Sequence, residues 1–230
     1  MALRINLNAS ALNAHRQLST TDVALGGSIE KLSSGYRINR AADDPAGLAI
    51  SENLRAQVSG LGQAISNSSD AVNLIRTAEG ALSQVHTLLR TMRNLALHAA
   101  NTGTNDSTAI AADQTQIASA LSALDRIAGN TQFGTKVLLD GTATGLVFQV
   151  GANAGQTTTV NIASIKGVDL GVSTIDVSTS GVTAQAAIVA IDAAISQVST
   201  LRAQLGATQR DLESNINSLG VAKENIAASE

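Results

Sequence analysis

Cysteine is absent from the 230 residues, which removes disulfides, thiol nucleophiles and thiolate metal sites together. Aromatic residues are nearly absent too, Tyr36, Phe133 and Phe148 being the whole set. Sites that stack bases or sugars draw on several aromatic faces, so this scarcity argues against a nucleic-acid groove or a lectin pocket. The formal net charge of −3 leaves no basic field to hold a polyanion by counterion release, and DNA, RNA and acidic membranes are poor partners on that ground. Residues 1–10 hold Arg4 but no apolar run of the kind a Sec signal needs, and no later stretch reads as long and apolar enough to cross a bilayer. Any export is therefore expected to use another route, with no membrane insertion.

Proline occurs once, at Pro45, and glycines cluster between Gly129 and Gly181. Because these residues punctuate helices, both flanks can form long helices while the middle must turn. In the first flank Leu18, Leu25, Ile29 and Leu32 lie on one stripe, predicting a helix over residues 4–32 and an ordered connector over 35–43. Asp44 then precedes Pro45, an N-cap followed by proline at the first helical position.

From there a seven-residue series runs Leu54, Leu61, Ser68, Ile75, Leu82, Leu89 and Ala96, with Val58, Ile65 and Val72 in the second seam position. The companion series drifts by one place to Val85, Met92 and Ala99, as a nearly straight helix of period 3.6 requires. A helix of about 55 residues, roughly 80 Å long, is predicted. After a break at residues 101–107, a third helix is predicted over 108–128, with Ile117, Leu121 and Leu124 on one face. Alternation at Leu146, Phe148 and Val150, and again at Thr158, Val160 and Ile162, predicts a β-hairpin with a five-residue loop. The last flank repeats Ala184, Ile191, Val198, Leu205, Leu212, Leu219 and Ile226 every seven residues. The fold class is thus mainly α: an elongated antiparallel bundle or coiled coil of long helices with a small β-hairpin region. Residues 1–43 are read as an N-terminal helix and connector, and 44–230 as a helical rod domain with the hairpin at about 146–163.

Chemistry is sparse. Asp43 and Asp44 are adjacent carboxylates, but capping accounts for Asp44. Arg37 and Arg40 are expected to form ion pairs with Asp43 or with a neighbouring subunit. His15, His86 and His98 have no partner at ligand spacing, which argues against a metal site, and His86 lies near the seam of the long helix. The Ser/Thr-rich stretch 155–180 reads as a solvated surface or as a carrier of O-linked glycans. No nucleophile, base and oxyanion set is visible, so no catalytic, cofactor-binding or metal-binding residue is assigned and the chain reads as non-enzymatic. The 45–100 helix has a partner of matching length in the last helix. Residues 4–32 have none within the chain, and a lone helix with such a stripe is marginal in water.

The run LSSGYRINRAADDPAGLAIS at residues 32–51 closely resembles the N-terminal signature of bacterial flagellins. TQFGTKVLLDG at 131–141 and QVGANAG at 149–155 resemble the segment after the family's third helix and its hairpin. The resemblance implies a secreted, extracellular structural subunit of the flagellar filament, serving motility, exported by the flagellar type III apparatus and polymerised by self-assembly below a cap. It implies that the terminal segments pair as an inner tube. Short spacing between Gly134 and Ala184 leaves no room for variable outer domains, and the C-terminal helix that would partner residues 4–32 is not in the chain, so this polypeptide is expected not to form ordinary filaments unaided. The family segment recognised by a vertebrate innate immune receptor maps to residues 90–101 and the facing third helix. Arg93 and Leu95 match it, whereas Thr91 and Gln116 replace the usual arginine and glutamate, so weak recognition is expected. Two alternatives stay open: a hook–filament junction protein, and a cell-surface adhesin or polysaccharide-binding protein on the same scaffold.

Overall fold

The computed structural model describes residues 8–230, and residues 4–7 of the expected first helix lie outside them. Eight elements follow in order: α1 (Ala9–Ser34), α2 (Pro45–Ala99), α3 (Ser107–Asn130), β1 (Gln132–Phe133), β2 (Lys136–Val137), β3 (Leu146–Gln149), β4 (Thr157–Val160) and α4 (Gly181–Ser229). The mainly α class is as the periodicities predict. The chain divides into two compact units, one of residues 1–57 with 226–230 and one of residues 58–225.

In the smaller unit, α1 starts on the Asn8 side chain, which accepts from the Ala11 N–H at 3.2 Å. It ends at Gly35, whose φ of 74° lets its own N–H bond back to the Lys31 carbonyl at 3.0 Å, a left-handed cap that glycine adopts without strain. Asp44 caps α2 as expected, its Oδ1 accepting from the N–H groups of Ala46 and Gly47 at 3.1 and 3.0 Å. A Cβ at Gly47 would lie 2.6 Å from Asp44 Oδ2 and 2.7 Å from Ile38 Cδ1, so the capping carboxylate and the Ile38 side chain would have to shift to admit one.

In the larger unit, parts of α2, α3 and α4 share one core with the loops that follow β2 and β4. Leu61, Ser68, Ile75, Leu82, Leu89 and Ala96 are buried along α2, with Val72, Ala78, Val85, Met92 and Ala99 beside them. The α4 stripe buries Ala184, Ile191, Val198, Leu205 and Leu212. Ion pairs Arg93–Asp192, Glu79–Arg202 and Arg76–Glu213 show that the two helices run antiparallel. Asp106 caps α3 one residue ahead of the predicted start, accepting from the Ala109 N–H at 2.7 Å. Ser180 and Thr183 cap α4 reciprocally, so it begins at Gly181, three residues ahead of the first member of the seven-residue series.

The β3–β4 ribbon pairs Leu146 with Val160 and Gln149 with Thr157. A Val150 N–H to Gln156 carbonyl bond at 2.9 Å closes its neck, leaving residues 151–155 as the loop. Ile162 lies past the strand; its N–H bonds the Ala143 carbonyl instead. The β1–β2 ribbon was not predicted, since two-residue strands carry no readable alternation.

One expectation is corrected: among the described residues α4 does contain a window long and apolar enough, by composition, to cross a membrane. Its apolar residues are interleaved with Asp192, Ser196 and Gln197 and so never form an unbroken run. Part of that apolarity, at Ala184, Ala187, Ile191, Ala194 and Val198, belongs to the shared core, while Val182 and Val189 stay exposed.

Candidate assembly surfaces

The predicted seam residues fall into three sets. Ile75, Leu82 and Leu89 of α2 are fully buried in one core cluster with Ile191, Val198, Leu205 and Leu212 of α4, and Leu61, outside that cluster, is also buried. Leu54, Leu219 and Ile226 are half-buried. The α1 stripe is in the opposite state: Leu18, Leu25 and Ile29 are 63, 57 and 57% exposed, Leu32 is 86% exposed, and α1 buries no residue among those described. An apolar stripe this open is a candidate interaction surface.

The connector is fixed by polar contacts that differ from the expected ones. Arg40 pairs with Glu30 of α1, through Nη2 at 2.8 Å and Nε at 3.0 Å, rather than with Asp43. Asp43 turns to the backbone, accepting from the Asn39 and Arg40 N–H groups at 3.3 Å each, and reaches Lys31 at 3.7 Å. The Asn39 N–H chiefly holds the Asp43 carboxyl below its usual range. Arg37 is exposed and makes no ion pair among the described residues. Pro45 opens α2 directly after these contacts. The guanidinium of Arg55 sits 4.7 Å from the Tyr36 ring centroid and pairs with Glu52 and Glu230.

The residues expected to face a receptor are not equally available. Thr91 and Gln116 are exposed, Leu95 packs against the core, and Arg93 is tied to Asp192 by bonds of 2.6 and 3.4 Å. That hydrogen bond raises the affinity of the Arg93 guanidinium for its proton.

Sequence reading missed two polar arrangements. His98 does have a carboxylate partner, Asp113, with Nδ1 2.6 Å from Oδ2; fifteen residues of separation hide it, because a loop folds α3 back onto the end of α2. Asp113 is buried, and no third ligand joins the pair among the described residues. The second is a clamp on the hairpin: Asn67 of α2 donates to the Gln149 carbonyl at 3.1 Å, and Asn215 of α4 to the Val150 carbonyl at 2.9 Å. Single amides outside any motif give no sequence signal. His86 is half-buried on α2, with its Nδ1 enclosed and unbonded among the described residues.

Comparison with known proteins matches this arrangement. The bacterial flagellin N-terminal helical region matches residues 5–144, and the flagellin C-terminal helical region matches 188–230. Flagellin of Bacillus subtilis (strain 168) is 42% identical over 260 residues, covering 99% of this chain and 86% of the relative. A flagellin of Treponema pallidum (strain Nichols) is 38% identical over 242 residues, covering 98% of this chain and 84% of the relative. Among solved structures, Bacillus cereus flagellin is 30% identical with a TM-score of 0.60, covering 72% of this chain and 95% of that one. A putative flagellar hook-associated protein of Vibrio parahaemolyticus shares the fold, with a TM-score of 0.72 at 17% identity over 83% of this chain and 98% of that one. Matched through both of its long-helix regions, with the signature connector between α1 and α2 in place, the chain belongs to the bacterial flagellin family and is a structural subunit of the flagellar filament.

Proposed function

We propose that this flagellin uses its two kinds of seam differently: the α2–α4 seam holds the subunit together, and the α1 stripe is kept for neighbouring copies. The contrast in exposure carries this reading, with Leu82 fully buried where Leu25 is 57% exposed although both recur on helical stripes. Burying Leu18, Leu25, Ile29 and Leu32 against other subunits would contribute roughly 6–12 kcal/mol gross, at roughly 1.5–3 kcal/mol for each side chain. Residues 1–43 then form the inner-tube segment and 44–230 the helical body. Arg37, Arg40, Asp44 and Pro45 belong to the connector that joins the two. Export runs through the flagellar type III apparatus, polymerisation occurs below the cap, and the product lies outside the cell. The work is mechanical, and the reading assigns no catalytic step or cofactor to the chain. Recognition by the innate immune receptor is weak, since Arg93 is engaged by Asp192 and Thr91 and Gln116 replace the charged pair; full potency in a reporter-cell assay would overturn that part.

Immunogold labelling of flagella from the bacterium that makes the protein tests the main reading. Gold along the whole filament is expected. Gold confined to the junction with the hook would favour the junction-protein alternative, and gold only on the cell body would favour an adhesin.

A further inference from the structure

Two exposed apolar features of the 58–225 unit are used by nothing described so far. The first is a cleft of about 370 Å³ between the two small ribbons, with Leu74, Phe133, Leu146, Val147 and Phe148 in its lining. It gathers two of the three aromatic side chains in the protein, and Val147 is 63% exposed there. The second is a ridge on α4, where Val182 and Val189 are 77 and 69% exposed. They stand two turns apart, about 10 Å, on the side of the helix away from buried Ala184 and Ile191. Exposed apolar patches of this kind mark interaction sites.

We propose that the Val182–Val189 ridge of one subunit seats in the Phe133–Val147–Phe148 cleft of the next copy, as a longitudinal contact within the filament. This rests on the filament-subunit reading and names the residues of one of its interfaces. Three observations select a second copy, docked by this ridge. Lys136 lies on the rim of the cleft and has no ion-pair partner among the described residues. Asp176 lies close to the foot of the ridge, in a groove it shares with Thr183, and so supplies the complementary charge. Its carboxyl is held at about 2 by the hydroxyls of Ser178 and Thr179, so it stays ionised.

Position is the second argument. The cleft is level with Leu74 of α2, whereas the ridge begins at Gly181, beside the Ala100 carbonyl and Thr102. At 1.5 Å per residue these levels are about 39 Å apart along α2. Surfaces that differ and sit at different levels make a heterologous contact, which propagates into an open chain instead of closing a twofold dimer. Shape is the third. Two β-branched knobs suit a short cleft, while the α1 stripe, spread from Leu18 to Leu32, calls for a long helix as its partner.

Because the protein lacks cysteine, engineered pairs report cleanly. Flagella isolated from cells making the full chain with Val147→Cys and Val189→Cys together are oxidised and run on a non-reducing gel. A ladder of oligomers well beyond dimer is expected, with no species above dimer from either single variant. Filaments whose double variant stops at dimer overturn the pairing, as does an equal ladder from Val147→Cys with Leu25→Cys. Val189→Asp is tested in parallel: its purified chain should keep the parent circular dichroism while association weakens roughly tenfold or more and filaments shorten. Parental filament length with Val189→Asp overturns the proposal. Gold along filaments together with either negative result refutes this contact alone, whereas no gold on filaments refutes the filament reading and the contact together.

Discussion

Replacing His98 with alanine should destabilise the larger unit far more than an exposed histidine normally would. The ring is largely in solvent, yet its Nδ1 lies 2.6 Å from Asp113, whose side chain is only 8% exposed. Among the described residues no other side chain bonds that carboxylate. His98→Ala therefore strands a buried acceptor, at a cost of about 1–3 kcal/mol. With a urea m-value of about 2 kcal/mol/M, a 2 kcal/mol loss lowers the unfolding midpoint by about 1 M. Far-UV circular dichroism during urea titration at neutral pH reads this directly. Most of the cost lies in the stranded buried acceptor, so the double variant His98→Ala/Asp113→Ala should recover a large part of it. A His98→Ala midpoint within about 0.2 M of the parent refutes the reasoning, as does a double variant that simply adds the two single losses.

Truncating the fully buried Leu82 to alanine should cost about 2–5 kcal/mol in the same titration, whereas Leu32→Ala, at a position 86% exposed, should leave subunit stability within about 0.5 kcal/mol and impair assembly instead, as sedimentation would show. Gly151→Ala places a Cβ 2.1 Å from Gln156 Oε1 and 2.7 Å from its Cβ, so Gln156 must move and give up the bond it accepts from the Asn153 N–H; faster amide exchange across residues 150–156 is the expected result. Asp176 has its carboxyl at about 2 in the folded state against 3.8 ordinarily, held there chiefly by the Ser178 hydroxyl. A lowered folded value means that its stabilisation is complete above about 4 and is lost as the pH falls toward 2, so Asp176→Asn should lower stability at neutral pH, converge on the parent toward pH 2, and flatten the acid-unfolding curve in that window.

What the sequence made legible is what repeats. Leu61, Ile75, Leu82 and Leu89 on one helix and Ile191, Val198, Leu205 and Leu212 on another could be read because a long seam samples the same environment every two turns. Contacts made once leave no such trace. His98 meets Asp113 only because the 100–106 turn reverses the chain, Arg40 reaches back ten residues to Glu30, and Asn67 and Asn215 converge on successive hairpin carbonyls from two different helices. Periodicity also says that a stripe is apolar without saying where its partner is. The α1 and α2 stripes read alike, and burial separates them: α2, α3 and α4 contribute to one core, while α1 buries none of its described residues. On the proposed reading, the exposed leucines of α1 make the helix that buries none of its described residues the one through which neighbouring copies are joined.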